Sequence, residues 1–285
     1  KEIHATKDTE RRRRFMTEKL TDEDDFLKSM NITAKDLRES AKIIRKQSGE
    51  GCESCNYLGH IINSYGKAAL CACTKKRFWE SMYVLADVPK SYISKDLLDW
   101  NTNADSLGND LGPQKKASKN VQMLLSFYIK NFSNIINGHL PNLLHSERES
   151  NKLHSILFEG GVGSGKTFIA SVMVKEAIKL NMNAKYFDWS ELCQTLGDFN
   201  SKEEIESIID KFKSYDFVVI DGIEDYPYFA PYFYMQLDRL CKARINSGKP
   251  FMLFSNGSQF NIKAGSGWQS LLRHCLIIRL PQTIR

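Results

Sequence analysis

The stretch Ser155-Ile156-Leu157-Phe158-Glu159-Gly160-Gly161-Val162-Gly163-Ser164-Gly165-Lys166-Thr167-Phe168 decides how the rest of this 285-residue chain is read. A short apolar run ends in a glycine-rich turn, and the turn leads into a helical stretch from Thr167 to Leu180. Residues 160–167 match the pattern G-x-x-x-x-G-K-[ST] at every fixed position, in the strand-to-helix setting that the pattern requires. Four glycines let the backbone curl until successive N–H groups point inward at a polyphosphate, and the helix N-terminus adds the positive end of its dipole. Gly160, Gly161, Val162, Gly163, Ser164, Gly165, Lys166, Thr167 and Phe168 are therefore the expected binding residues for ATP or ADP. Lys166 is expected to reach the β- and γ-phosphates, and the Thr167 hydroxyl to ligate Mg2+.

Outward from this loop, Ser155–Glu159, Ala184–Asp188, Phe217–Asp221, Phe251–Ser255 and Cys275–Leu280 read as strands separated by helical stretches. That alternation predicts parallel crossover units, hence an α/β fold with a mostly parallel five-stranded sheet covered on both faces. The run Tyr215-Asp216-Phe217-Val218-Val219-Ile220-Asp221 places an acid at the end of an apolar strand, so Asp221 is the candidate Walker B aspartate holding the magnesium or its water. Gly222 follows it instead of a second acid. Glu224 or Asp225 is left as the candidate for orienting the attacking water, with Glu224 the choice. Asn256, after the strand Phe251–Ser255, is expected between Asp221 and the γ-phosphate, where an amide can bond water or a phosphate oxygen.

The net charge is +6, and 42% of the residues are apolar, enough to build a core and to exclude wholesale disorder. The excess leans towards residues 1–90, which hold 18 Lys/Arg against 14 Asp/Glu. A balance this small permits nucleic-acid contact without requiring it. No run approaches the ~18 consecutive apolar residues of a membrane helix, and Lys1 to Arg14 are polar rather than a secretory core. The expectation is a cytoplasmic protein with no membrane partner.

Of seven cysteines, Cys52, Cys55, Cys71 and Cys73 fall within 22 positions, while Cys193, Cys241 and Cys275 are scattered as core thiols. Two thiolate pairs separated by a 15-residue loop can complete a tetrahedral S4 shell around Zn2+, and Gly59 suits the turn after such a knuckle. Four protein ligands leave no open position, so the zinc is expected to be structural. His60 is a substitute ligand to be weighed. Before this segment, residues 8–47 carry apolar residues at helical spacing, and after it 74–86 reads as an amphipathic helix. Residues 101–120 read as a loop or linker, with a helix resuming from about Val121 to Ile136. The expected division is a helical, zinc-binding docking domain over 1–85 and an ATPase domain over 86–285.

The phosphate loop, Asp221 and Ser255-Asn256, in this order, resemble the AAA+ ATPases of the DnaC/DnaI helicase-loader and IstB group. Ala86-Asp87-Val88-Pro89-Lys90-Ser91-Tyr92 is similar to the segment leading into the ATPase core there, and the cysteine spacing to the zinc element preceding it in some loaders. The resemblance implies ATP hydrolysis, slow or stimulated by a partner, and ATP-dependent self-association with an arginine acting on a neighbour's nucleotide. Arg273 is the first candidate, then Arg239 and Arg244. It further implies a loader that binds a replicative DnaB-type helicase and delivers it onto single-stranded DNA. The alternatives are an IstB-like transposition ATPase on duplex DNA and a nucleotide-gated adaptor with little turnover. The stretch from Trp189 to Lys213 is similar to the helical insertion that contacts single-stranded DNA. Tyr226, Tyr228, Phe229, Tyr232, Phe233 and Tyr234 are read as packing or interface residues before base-stacking ones.

Overall fold

The computed structural model describes residues 52–62, 66–105, 108–136, 155–198, 202–223, 230–256 and 272–281. The helices expected over 8–47, Glu224, Asp225 and the aromatic residues Tyr226, Tyr228 and Phe229 lie outside them. The chain divides into two compact units, Lys1–Phe78 and Trp79–Arg285, a boundary a few residues before the one expected at 85.

In the first unit a 3-10 turn, Glu53–Cys55, is followed by strands β1 (His60–Ile62) and β2 (Ala68–Leu70), paired antiparallel with His60 opposite Leu70. Helix α1 (Ala72–Leu85) begins directly after Cys71, and the division between the two units falls within it, after Phe78.

The second unit is built on a parallel sheet. Its strands are β3 (Ile156–Glu159), β4 (Ala184–Asp188), β5 (Phe217–Ile223), β6 (Phe251–Ser255) and β7 (Leu276–Arg279). The order across the sheet is β4-β5-β6-β3-β7, and every neighbouring pair is parallel. Burial explains which strands are central: Ile156 to Phe158, Phe217 to Ile220 and Phe251 to Phe254 are completely buried, whereas β7 alternates half-buried with exposed residues, as an edge strand does.

Helices cover both faces. On one, Ile156, Phe158, Phe217, Val219, Met252 and Phe254 pack against α2 (Lys115–Lys130), α3 (Phe132–Ile136) and α4 (Lys166–Lys179). On the other, Leu157, Val218, Ile220, Phe251 and Leu253 meet α5 (Trp189–Asp198), α6 (Lys202–Ser214) and α7 (Ala230–Asn246). The two sets alternate along each strand because successive side chains point to opposite faces. Phe158 stacks on Phe254 at 4.7 Å across the first face.

One expectation needs correction. Within 101–120, helix α2 already begins at Lys115, after a 3-10 turn over Gly112–Gln114, and Ala104 bridges to Asp110. In the first turn Lys116 and Ala117 are exposed and the buried position is filled by Ser118, so no large apolar residue marks it, while Val121, Leu125 and Tyr128 continue the same buried face at helical spacing. Among the described residues, no helix is long and apolar enough to cross a membrane.

Candidate nucleotide and metal sites

The phosphate loop runs from the end of β3 to the start of α4. Gly163 and Gly165 have φ of 86° and 89°, a left-handed backbone that glycine adopts without strain. Gly160 is needed for space: a Cβ there would stand 2.5 Å from Ser164 Oγ and 3.0 Å from Leu280 Cβ. The Lys166 ammonium donates to Gly160 O at 2.6 Å and Gly161 O at 2.8 Å, which holds it inside the curl of its own loop. Val162 projects outward, 89% exposed.

The loop forms one wall of a cavity of about 500 Å3 lined by Val162 to Phe168, Asp221, Gly222 and Asn256. Parallel pairing of β5, β6 and β3 brings these residues to one sheet edge, the carboxyl end of the strands, where ligands bind in open α/β sheets. Of the residues singled out from sequence, Lys166, Thr167, Asp221 and Asn256 thus share one cavity. Arg273 is exposed on the turn before β7 and is not among the lining residues.

Asp221 is 4% exposed, and its Oδ2 accepts a hydrogen bond from the Tyr186 hydroxyl at 2.8 Å. Its Oδ1 is buried with no hydrogen-bond partner among the described residues. Burial, and then the charge of Asp221, push the Tyr186 phenol above its ordinary value. A buried carboxylate oxygen without a donor is costly, so Oδ1 suits a cation or a cation-bound water. Thr167 and Asp221 therefore fit a magnesium ion accompanying a nucleotide.

The opposite wall was not read from sequence. Tyr92, Asp99, Trp100, Asn101, Ala104 and Asp105 all line the cavity. The Trp100 indole nitrogen lies 3.1 Å from where a Cβ on Gly165 would be, so Trp100 leans directly on the phosphate loop. Tyr92 meets Phe168 edge-on at 6.0 Å. The wall is pinned by Lys175, one turn from the middle of α4 and 1% exposed, whose ammonium donates to the carbonyls of Tyr92 and Ile93, both at 3.0 Å, and of Lys95. All three lysine donors are used, and burial pulls the ammonium below its ordinary value.

Arg244 is corrected as a candidate for acting on a neighbouring nucleotide. It is completely buried, and its guanidinium donates to the carbonyls of Phe212, Tyr215, Asp216 and Pro250 at 2.7–3.2 Å. Burial lowers its pKa to about 10. Arg239 is committed to Glu206 at 2.7 Å. On α6, Glu203 and Glu204 are exposed and Lys213 pairs with Asp210 at 3.0 Å, so this part of the insertion shows phosphate no net positive face. Phe233 and Tyr234 are buried, and Tyr234 stacks on Trp189 at 6.2 Å, which makes them packing residues.

In the first unit the ligand atoms of Cys52, Cys55, Cys71 and Cys73 lie within 4.8 Å of one another. Cys52 to Cys55 is 3.8 Å, Cys52 to Cys71 3.5 Å and Cys55 to Cys73 3.6 Å. A tetrahedron with Zn–S bonds of about 2.3 Å has edges of about 3.8 Å, so the set fits zinc, and the separations are far beyond a disulfide bond. The knuckle after Cys55 turns through left-handed Asn56, Tyr57 and Gly59. Gly59 N–H then donates to Cys55 Sγ at 3.3 Å, while its carbonyl accepts from Cys71 N–H at 2.9 Å and Thr74 Oγ1 at 2.7 Å. Burial pushes the Cys55 thiol up, but hydrogen bonds outweigh it and hold it down at about 6, whereas Cys71, bonded to the same neighbours, is pushed up, so the four thiols share their protons unequally when no cation is among them. His60 Nδ1 lies 3.2 Å from Leu58 O, and His60 is not one of the clustered ligands.

A parallel sheet in the order β4-β5-β6-β3-β7, with the phosphate loop leaving β3 and Asp221 ending the apolar part of β5, fixes the architecture. The fold is that of an α/β P-loop core, a parallel five-stranded sheet with the glycine-rich loop at the carboxyl end of β3. No protein-family model and no curated protein matches the chain. Solved structures do. DnaI is 14% identical over 68% of this chain and 92% of its own, with a TM-score of 0.48. A DnaC helicase loader is 13% identical over 67% and 99%, with a TM-score of 0.45. AMPPCP-bound DnaA from Aquifex aeolicus is 16% identical over 68% and 51%, with a TM-score of 0.46. The chain spans about half the length of the DnaA chains it matches. At these identities the likeness is one of fold.

Proposed function

We propose that this chain is an ATP-dependent helicase loader, which binds a replicative DnaB-type helicase, self-associates with ATP and delivers the helicase onto single-stranded DNA. The observation that carries the nucleotide half is the convergence of Lys166, Thr167, Asp221 and Asn256 on one cavity, with a buried Asp221 oxygen left for a cation. The cysteine knuckle ahead of the core supports a loader over an IstB-like transposition ATPase, through the resemblance of its spacing.

In this reading the loop amides and Lys166 bind the phosphates, and Thr167 and Asp221 hold Mg2+, which neutralises phosphate charge when present. Asn256 orients water or a phosphate oxygen. Arg273, exposed, serves a neighbouring subunit, and the zinc of the knuckle is structural.

Co-purification of the full chain with a DnaB-type helicase, with ATP, with ADP and without nucleotide, tests the proposal. A complex that requires ATP and is lost in Lys166→Ala is expected; no complex in any state overturns it. One observation favours the nucleotide-gated adaptor as a second reading. Gly222 follows Asp221 at φ 75°, where a side-chain acid would be strained. Turnover that is brisk with DNA and helicase, and abolished by Lys166→Ala, eliminates the adaptor.

A further inference from the structure

The two oxygens of Asp221 have unlike surroundings, and the difference is made by one residue from the neighbouring strand. Tyr186 on β4 pairs in register with Val219, two residues before Asp221, so the phenol and the carboxylate share a face of the sheet. Tyr186 is 5% exposed, and its main-chain N–H donates to Ala86 O at 2.9 Å. The ring is thus fixed from both ends: by its backbone and by the 2.8 Å bond from its hydroxyl to Oδ2.

We propose that Tyr186 is a positioning residue for Asp221, locking Oδ2 so that Oδ1 is the oxygen offered to the divalent cation bound with a nucleotide. The proposal rests on the nucleotide-site reading above and adds to it the group that selects the ligating atom. A carboxylate is a symmetric acceptor that can present either oxygen by rotation. The phenol has one O–H to donate, and its hydrogen bond to Oδ2 fixes the rotation of the carboxylate, so that Oδ1 stays the oxygen turned away from the phenol. The orphaned Oδ1 then faces no competing donor among the described residues. A lysine or arginine in place of the phenol would instead pair with the acid and compete with the cation; a neutral donor orients the acid while leaving its charge to the metal.

The test is equilibrium binding of a fluorescent ATP analogue to the full chain, in EDTA and in saturating Mg2+, with melting temperatures recorded alongside. Tyr186→Phe keeps the ring and deletes the hydroxyl. The expected result is affinity within about twofold of the parent in EDTA and a gain on adding Mg2+ that is smaller by about tenfold. On an Asp221→Asn background, Tyr186→Phe is expected to reduce the Mg2+ gain no further, because both changes act on one contact. A Tyr186→Phe protein with the full Mg2+ gain overturns the proposal and leaves the nucleotide site standing. Equal loss in EDTA and Mg2+ also overturns it, since that is general damage to the pocket. A parent protein whose binding gains nothing from Mg2+ removes the nucleotide–cation reading itself, and this proposal with it.

Discussion

The cavity around Lys166 stands on strands whose apolar side chains are fully buried, whereas the cysteine knuckle shows its apolar residues to solvent, with Ile62 73% and Leu70 59% exposed. In the core of the second unit the sheet holds the binding residues in place, and the buried cations Lys175, behind the Tyr92 wall, and Arg244, at the turns before β5 and β6, are saturated with carbonyl acceptors. In the knuckle, the buried residues among 52–62 and 66–71 that could serve as an interior are ligand cysteines, Cys55 and Cys71, beside Gly59. A site on a large core tolerates the loss of its ligand; a short two-stranded element without a core does not.

The largest effect should come from the metal. Chelation, or Cys52→Ser with Cys71→Ser, is expected to remove about one zinc per chain and to unfold the knuckle, on the scale of ~10 kcal/mol seen for structural zinc sites. Elemental analysis and limited proteolysis report this, and nucleotide binding by the core should be untouched; a core that melts with the knuckle would break the contrast. Next in size, Arg244→Met leaves the carbonyls of Phe212, Tyr215, Asp216 and Pro250 short of donors and should cost about 3 kcal/mol. Calorimetry should show a lower melting temperature with zinc content unchanged. An arginine acting across subunits would behave oppositely, losing turnover at constant stability.

Lys175→Met should be milder, about 2 kcal/mol, because the freed carbonyls lie nearer solvent. Its signature is a weakened nucleotide affinity along with the lower melting point, since the Tyr92 wall loses its pin. Smallest of all, Arg239→Ala removes a half-exposed ion pair with Glu206 and should change stability by less than about 1 kcal/mol, falling further at high salt.

These residues also mark where sequence reading stopped. The strands were legible because β3, β5 and β6 are continuous apolar runs bounded by glycine or polar residues, and β4 and Phe251–Ser255 agree with the expected bounds residue for residue. The phosphate loop was legible because its chemistry is local, a glycine spacing and a lysine within eight positions. Lys175 has no such signal: it sits among helix residues of ordinary type, and its acceptors are about 80 residues away. Tyr186 reads as one more aromatic in a strand, and Arg244 as a cation near a helix end. What each does is decided by which strand or turn the fold lays beside it. The entry turn of α2 was read as linker for the same reason, since its large apolar residues begin only at Val121.

Trp100 has a practical consequence. An indole in van der Waals reach of Gly165 is an optical reporter built into the phosphate loop. Its emission depends on local polarity and on quenching by nearby charged groups, so rearrangement of the loop around a triphosphate registers as a spectral shift without any attached dye. Trp189, buried at the start of α5 and stacked on Tyr234, gives a steady internal reference against which that shift can be read.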